Sequence, residues 1–295
     1  GYNVWLNEQL DYNVVADAML STYEGLDKWF KPEVTFKLNI KPVPGLSYQQ
    51  VLGYENRQWE HHFYNSRNHR DELEESRKGY AHLAFSKTEN LTSEGYATYI
   101  KEFKGGHNLN AVAGYSYFEN NGESFNMSNY NFAVDGVKFW DIGAGSYLSD
   151  GKAAMSSGKN ITERLFSLFA RANYSYQDKY LLQASIRHEG SSKFAADNRW
   201  ANFWSVSAGW RISNEKFMED IKWIDDLKVR FGYGVTGNND FSASYMANML
   251  GSDTYWMLPD GEWAYSYGKT QNVNQSLGWE EKKEWNLGLD FSLFD

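Results

Sequence analysis

Three histidines, His61, His62 and His69, are the first residues of this chain whose type could support chemistry. Imidazole nitrogens bind zinc and other transition metals, but a metal site requires its ligands at defined spacings. The three histidines match no such motif, and the segment around them is polar. We therefore predict no metal site.

An acidic run follows directly and raises the question of calcium. Its carboxylates belong to Asp71, Glu72, Glu74 and Glu75. A calcium loop of the EF type places oxygen ligands at alternating positions around a turn glycine, and this run has neither feature. The run is therefore interpreted as a solvated acidic loop.

Carboxylate pairs and a glycine motif complete the candidates for chemistry. Asp253 with Asp260 or Glu262 provides the two acids of glycosidic hydrolysis, although sequence does not give their separation. Residues 232–237 read GxGxxG, which binds a dinucleotide where a helix follows, but here the glycines lie inside an alternating strand pattern. We predict neither a catalytic residue nor a cofactor.

Aromatic residues in two long polar segments could bind a ligand by stacking. Flat apolar rings beside polar groups bind sugar rings or peptide side chains. The alternative is that the rings only pack one loop against another, and both interpretations remain open. Nothing distinguishes a glycan from a peptide. The predicted substrate-binding residues are Trp140, Tyr147, Tyr255, Trp256, Trp263 and Tyr265.

Composition limits the class of protein that could carry such a surface. Of 295 residues, 17% are aromatic and 23% are charged, so the chain is not disordered. The net charge of -9 offers no broad cationic surface, and we predict no nucleic-acid partner. No apolar run approaches the roughly 18 residues of a membrane helix, which excludes a helical membrane protein but not a membrane barrel. The absence of cysteine excludes thiolate chemistry.

Apolar and polar residues alternate along much of the chain, a pattern typical of β-strands with two different faces. Weaker alternation occurs at 34–40 and 109–117. The pattern is clearest at 166–176, 180–187, 204–212, 227–235 and 285–293.

Short and long connections alternate between these strands. The short turns are Pro42–Gly45, Gly105-Gly106 and Gln177-Asp178. The long polar segments are 58–88, 120–160, 191–200 and 236–276. Asp17–Trp29 is interpreted as a short helix or an irregular loop.

About nine long strands, with short turns at one end and long loops at the other, predict an all-β fold that is a fragment of a large antiparallel transmembrane β-barrel. Trp204 and Trp210 are predicted near opposite aromatic belts of one strand. The polar face of the strands borders water or a plug in such a barrel, so its basic residues are predicted to face the lumen, unless they simply pair with acidic neighbours. These residues are Arg171, Arg187, Arg211, Lys228 and Arg230.

Four ordered blocks resemble the SusC/RagA family of TonB-dependent outer-membrane transporters. They are residues 171–218, LKVRFGYGVTGNND at 227–240, LGWEEKKEWNLGLDFSLFD at 277–295, and more weakly HNLNAVAGYSY at 107–117. The resemblance implies the middle of a 22-stranded barrel in the cell outer membrane, with a plug in its lumen. We expect residues 1–295 to be a partial barrel domain that lacks the plug, the TonB box and the signal peptide.

The resemblance also implies a function, which is import of an oligosaccharide or a peptide too large for porins. Its expected partners are a SusD-like surface lipoprotein as a lid, TonB acting through the plug, and outer-membrane lipid. No chemistry is expected on the solute, so the chain is not predicted to be an enzyme. The alternative is a soluble extracellular carbohydrate-binding β-domain, whose apolar faces would be buried between two sheets.

Overall fold

The computed structural model describes residues 13–242, 250–269 and 272–294, and most of these residues lie in β-strands. Within these ranges no helix is both long and apolar enough to cross a bilayer. The helices are α1 (Val14–Leu20) and α2 (Arg70–Glu74), with short 3-10 segments at Asp135–Ala144, Ala196–Asn198, Ile212–Asn214 and Lys216–Met218. The strands are β1 (Ser21–Phe30), β2 (Glu33–Asn39), β3 (Leu46–Asn65), β4 (Tyr80–Phe103), β5 (His107–Tyr130), β6 (Ala154–Lys159), β7 (Glu163–Tyr176), β8 (Tyr180–Ser191), β9 (Trp200–Arg211), β10 (Ile224–Asn238), β11 (Leu250–Met257), β12 (Trp263–Lys269) and β13 (Glu280–Leu293).

One large sheet contains most of these strands. Its order is β1-β3-β4-β5-β7-β8-β9-β10-β13, with β2 also paired to β3 and β6 also paired to β5. Each strand pair whose register is described is antiparallel. The predicted antiparallel all-β fold is confirmed. The main path of the sheet has nine strands, but β1 was not among those predicted, and the strand predicted at 34–40 is β2, which pairs with β3 off this path.

The chain divides into two compact units. The first comprises Gly1–Pro32, Tyr54–Asn90 and Asn120–Thr162. Its buried core is formed by Tyr64, Ala81, Phe132 and Phe139. The second comprises Glu33–Gly53, Leu91–Glu119 and Glu163–Asp295. Phe194 and Phe203 are buried in the second unit, and both rings pack against Trp279.

The predicted short turns are all present, and their backbone conformations explain their sequences. Gln177 and Asp178 both have positive φ, the geometry of a two-residue hairpin that matches strand twist. Gly105 and Gly106 have φ of 89° and 84°, where a side chain would be strained. Gly45 has φ of 92° and accepts a 2.9 Å hydrogen bond from the amide of Ile100.

Two of the predicted long loops are shorter than expected, because the strands extend into them. β3 continues to Asn65, β4 begins at Tyr80 and β5 continues to Tyr130, so much of 58–88 and 120–160 is strand. The predicted polar loops at these positions are therefore wrong in extent. In these extensions the face that carries Lys87 and Glu89 is polar, so period-two alternation of apolar residues fades although the strands persist.

The segment around Asp17–Trp29 is neither a single helix nor an irregular loop. α1 ends at Leu20, and β1 begins directly at Ser21. The side chain of Asn13 caps α1 by accepting hydrogen bonds from the amides of Val15 and Ala16. Residues 1–12 lie outside the described part of the chain.

Apolar side chains from five strands that are adjacent in the sheet form continuous rows across one face, which we call the apolar face. These strands are β7, β8, β9, β10 and β13. In one row Leu182 pairs with Tyr174 and Ala208, and Phe231 pairs with Ala208 and Leu287. The next row contains Ala172, Ala184, Val206, Tyr233 and Trp285. Phe231 and Leu287 are 50% and 66% exposed, so no other part of the described chain covers these rows.

An aromatic belt lies where the apolar face meets the short turns. Tyr180 is the register partner of both Tyr176 and Trp210. The carboxylate of Glu215, just beyond the strand ends, accepts hydrogen bonds from Tyr180 Oη at 2.7 Å and Trp210 Nε1 at 3.1 Å, and it pairs with Lys179. These bonds, that of Tyr180 foremost, hold the pKa of Glu215 below its usual value. Rings with polar tips in this arrangement suit a membrane–water interface.

The second belt is at Trp200 rather than at Trp204. Ten residues separate Trp200 from Trp210, which for a strand tilted by about 40° corresponds to about 25 Å, the height of a barrel's apolar band. Trp204 is only six residues from Trp210, or about 15 Å. Trp200 stacks on His188 at 4.8 Å and approaches Phe166 at 6.2 Å. The predicted pairing of Trp204 with Trp210 as opposite belts therefore does not fit this geometry.

Candidate functional site

The five basic residues that sequence assigned to the lumen lie on the face opposite the apolar rows, which we call the polar face. Lys228 pairs with Arg211 in the register, and Arg230 pairs with Gly209. Arg171 is opposite Ser185, and Arg187 lies between Phe169 and Phe203. None of the five occupies an apolar row.

Three of the five are paired with carboxylates, as the alternative interpretation proposed. Arg187 lies 3.1 Å from Glu189, Arg211 3.3 Å from Asp226, and Arg230 3.2 Å from Asp290. Within the described residues, Arg171 and Lys228 have no such carboxylate. The lumen-facing role of these two cations remains a prediction.

A groove of about 640 Å³ lies along the polar face beside Lys228 and Arg230. Amide and hydroxyl side chains supply most of its remaining polar lining, and Asn108 donates a 3.3 Å hydrogen bond to Ser175 across it. The residues of this kind are Asn108, Asn110, Asn173, Ser175, Gln183, Ser207 and Asn286. Such a lining binds uncharged polar groups without a large cost of desolvation.

The glycines of the GxGxxG stretch lie inside β10, as predicted, and their absent side chains make room for neighbours in the sheet. A Cβ on Gly234 would lie 3.0 Å from the Cβ of Ser205. A Cβ on Gly237 would overlap the buried ring of Phe203. Close packing in a strand therefore accounts for these glycines.

Trp140 and Tyr147 belong to the first unit and pack on different neighbours. The ring of Trp140 lies 5.6 Å from His62 and is 71% exposed. Tyr147 packs on Tyr130 at 5.3 Å, with the ammonium of Lys152 above its ring at 5.2 Å. The two predicted ligand-binding rings are thus not brought together into one site.

Tyr255, Trp256, Trp263 and Tyr265 lie in the β11–β12 hairpin of the second unit. Tyr255 pairs with Tyr265 and Met257 with Trp263, so these positions share one face, while Trp256 lies on the other. Tyr255, Trp256 and Trp263 are 54%, 70% and 66% exposed. The side chains of Tyr265 and Asp253 lie outside the described residues, and Asp260 accepts a hydrogen bond from the amide of Glu262 in the hairpin turn.

The histidines examined as metal ligands point in different directions. His61 and His62 are consecutive in β3 and lie on opposite faces, where His61 contacts Tyr23 and His62 contacts Phe139. His69 is buried in the loop before α2. Its Nδ1 accepts a hydrogen bond from the amide of Asp71, and its Nε2 lies 2.7 Å from a carboxylate oxygen of Asp17. Each histidine therefore has a separate structural environment.

Sequence reasoning missed a row of aromatic rings on β1, β3, β4 and β5. We define the aromatic stripe as Tyr23, Trp59, His61, Phe63, Tyr80 and Tyr130. Its ring centroids are 4.7 to 6.3 Å apart between neighbours. The signal was the alternation of Trp59, His61 and Phe63, which lies within the segment interpreted as a polar loop.

The loop after β5 is held against β3 by Asp135. Its carboxylate accepts hydrogen bonds from Tyr64 Oη at 2.9 Å and the amide of Arg67 at 2.8 Å, and pairs with the Arg67 guanidinium at 3.3 Å. Burial alone would raise the pKa of Asp135, but these hydrogen bonds and the guanidinium outweigh it, so the pKa lies below the ordinary value of 3.8.

Acid should release this loop. The pKa of Asp135 is lower in the folded state than its unfolded value of 3.8. Ionised Asp135 therefore stabilises the docked loop fully above pH 3.8, and this stabilisation is lost as the pH falls through the folded-state pKa. Asp135→Asn should weaken docking by about 1.5 to 3 kcal/mol at neutral pH and remove this acid transition. The fluorescence of Trp140, taken as the difference between wild type and Trp140→Phe from pH 7 to pH 3, would report both effects. An unchanged acid transition in Asp135→Asn would contradict the assignment.

With the polar groove, the apolar rows and the belts described, comparison with known proteins identifies the family. A family model described as TonB dependent receptor-like, beta-barrel matches residues 5–295. The chain belongs to this family. The TonB-dependent receptor SusC of Bacteroides thetaiotaomicron is 35% identical over 148 residues, which are 50% of this chain and 15% of that protein. The TonB-dependent receptor P3 of Formosa agariphila is 35% identical over 217 residues, which are 74% of this chain and 21% of that protein.

A solved structure shows the same barrel fold. The RagAB peptide transporter matches with a TM-score of 0.84 at 20% identity, covering 99% of this chain and 31% of that one. The predicted resemblance to the SusC/RagA family and the predicted barrel fragment are confirmed, as is outer-membrane localisation. These relatives are receptors and transporters rather than enzymes, which confirms that prediction too. The TonB-dependent receptor-like chain spans between 15% and 31% of the length of these proteins.

Proposed function

We propose that this chain is the central barrel wall of a TonB-dependent importer that brings an oligosaccharide or a peptide across the outer membrane. The observation that carries the proposal is the continuity of the apolar rows across β7, β8, β9, β10 and β13, opposite a polar face with a groove. A soluble two-sheet domain would bury such rows, whereas lipid covers them in a barrel.

The partners follow from the family. A SusD-like surface lipoprotein would cover the loop end, and TonB would act from the periplasmic side through a plug in the lumen. The RagAB peptide transporter supports this assignment as a barrel of the same fold. On the polar face, Arg171 and Lys228 would contact the plug or the solute as it passes.

Cysteine accessibility tests the membrane orientation directly. In the full-length parent protein, freed of other cysteines and kept in outer-membrane vesicles, single cysteines replace residues 227–235 of β10. Positions 229, 231 and 233 should resist a water-soluble thiol reagent until detergent is added, while 228, 230 and 232 should react more readily. Uniform reactivity along β10, or recovery of the parent in the soluble fraction, would overturn the proposal.

Nutrient uptake by cells tests the proposed transport activity separately from the membrane orientation. Cells that carry the parent protein should accumulate its nutrient only while TonB and the proton gradient of the inner membrane are intact. Accumulation that continues after deletion of TonB would contradict a TonB-dependent importer even if the accessibility pattern alternates.

A further inference from the structure

The rings of the aromatic stripe lie on one face of the strands in the first unit. Tyr23 pairs with Phe63 and Gly25 with His61, so these side chains share a face of β1 and β3. Tyr80 contacts Phe63, and Tyr130 stacks on Tyr80 at 4.7 Å. The stripe is therefore a continuous aromatic surface across β1, β3, β4 and β5.

The stripe is an open surface, not a closed core. Tyr23 is 63% exposed, and its side chain lies across Gly25 to reach the ring of His61 at 4.9 Å. Trp59, Phe63 and Tyr80 are only partly buried. By contrast, Tyr64 on the other side of β3 is 2% exposed beneath Phe132. The described part of the chain thus covers one face of this region with a loop and leaves the aromatic stripe largely exposed.

The strand positions of β4 and β5 beside the stripe are polar but uncharged. None of the even-numbered residues of β5 is charged, whereas Glu119 and Glu123 are on its other face. The residues of β4 and β5 next to the stripe carry hydroxyl and amide groups, and they are Ser86, Thr88, Asn90, Ser124, Asn126 and Ser128.

The few ionic groups on this face are neutralised in pairs. Arg57 forms a 2.6 Å ion pair with Asp27, and Lys31 lies 3.4 Å from Glu55. The guanidinium of Arg77 lies 4.5 Å from the centre of the Tyr130 ring and pairs with Glu72 at 3.1 Å. Burial, and secondarily the neighbouring imidazole, lower the pKa of His61 and of His82, so both rings are neutral at neutral pH. Within the described residues, each of these charges therefore already has an ionic partner.

We propose that the aromatic stripe is a binding site for neutral oligosaccharide, with sugar rings stacked on Trp59 and Tyr23 and their hydroxyls bonded to the adjoining serine, threonine and asparagine side chains. Pyranose rings present flat apolar faces and a rim of hydroxyls, which matches aromatic rings beside uncharged polar groups. A peptide brings charged termini and side chains, for which this face has no free partner. The inference rests on the proposed import function and narrows its substrate to one of two classes.

The test uses the purified full-length parent protein in nanodiscs and three probe mixtures. They are neutral hexose and pentose oligosaccharides, uronic-acid oligosaccharides, and tryptic peptides, each identified by mass spectrometry after retention on the protein. The wild-type protein should retain neutral oligosaccharides selectively. Trp59→Ala should weaken retention by about tenfold or more, as loss of a central stacking tryptophan does, and Trp59→Phe should preserve most of it.

Phe30→Ala is the matched control. Phe30 lies on β1 and is 63% exposed like Tyr23, but its register partner Asn56 places it on the other face. It should retain neutral oligosaccharides as the wild type does. Retention of peptides or uronides instead, retention of none of the three mixtures, or equal retention by wild type and Trp59→Ala would overturn the proposal. None of these outcomes would alter the cysteine accessibility of β10 or the TonB dependence of uptake. Failure of the proposed sugar site can therefore be distinguished from failure of the proposed import function.

Discussion

Replacing Val206 with arginine should largely prevent the parent protein from assembling in the outer membrane. Val206 is 43% exposed on the apolar face, and its neighbours in the row are Ala184 and Tyr233. It lies between the belts at Trp200 and Trp210, close to the middle of the apolar band. A lipid-facing arginine at the midplane costs about 2 to 4 kcal/mol, which corresponds to a decrease of about thirtyfold or more in the folding equilibrium constant. Heat-modifiable mobility of the membrane fraction on gels measures how much folded protein remains.

Ser207→Arg is the matched control for this charge. Ser207 is adjacent to Val206 but faces the polar side, where it pairs with Gly232 and Gln183. Water or a plug borders that side, so the folded fraction should remain near that of wild type. Equal losses from both substitutions would mean that the two faces are not different environments, which would contradict the barrel orientation.

Among alanine substitutions of the glycines in the short turns, Gly45→Ala should destabilise the fold the most. Gly45 has φ of 92°, and a Cβ there would overlap the carbonyl oxygen of Ile100, a backbone atom that cannot move without disturbing β4. The backbone conformation alone costs about 1 to 3 kcal/mol for a residue other than glycine. The overlap adds to this and breaks the hydrogen bond between the Ile100 amide and Gly45. We expect the folding equilibrium constant to fall by about tenfold or more, with less folded protein in the same gel assay.

Gly105→Ala separates the two causes. Gly105 has a similar φ of 89°, but the nearest atom to an added Cβ is His107 Cδ2 at 3.5 Å, an ordinary contact. This variant therefore bears the backbone strain without the overlap and should lose distinctly less folded protein than Gly45→Ala. If the two variants behave alike, the overlap with Ile100 contributes nothing, and the assignment is wrong.

Sequence predicted the fold best where one face of a strand meets lipid and the other meets water. Val229, Phe231 and Leu287 alternate with charged or small residues because their two environments differ sharply, and the observed register agrees with that alternation. The tight turns were predicted equally well, since Gly105 and Gly106 have the positive φ that glycine favours and Asp178 has a positive φ that aspartate tolerates.

Prediction of strands from the sequence failed where both faces of a strand are exposed to water or partly covered. In β3 beyond Tyr54, the aromatic stripe occupies one face while Glu60 and His62 occupy the other, so apolar and polar residues are mixed on both sides. The segment was therefore interpreted as a loop, and Trp59 was not considered. Identifying it required the pairing of Asp27 with Trp59 and of Gly25 with His61, which is long-range information.

The aromatic residues predicted to bind a ligand show a second limit of prediction from the sequence. Trp140 was selected because an exposed tryptophan in a polar segment resembles a binding residue. In the fold it packs beside His62, on the opposite face of β3 from His61. Sequence indicates that a ring is present in a loop but not the side of the sheet to which the loop returns. The ligand-binding roles of Trp140, Tyr147 and the β11–β12 aromatics remain predictions.

The alternation of tight turns with long connections has a consequence for how such a protein diversifies. β7, β8 and β9 pair with their sequence neighbours, and their register is fixed by the Gln177-Asp178 turn and by side-chain alternation, not by the loops at the other end. Doubling the length of a flexible loop adds only about 0.6 kcal/mol of closure cost. Insertions and exchanges at one end of the molecule can therefore accumulate over evolution without shifting any strand, so new ligand preferences can arise while the wall stays the same.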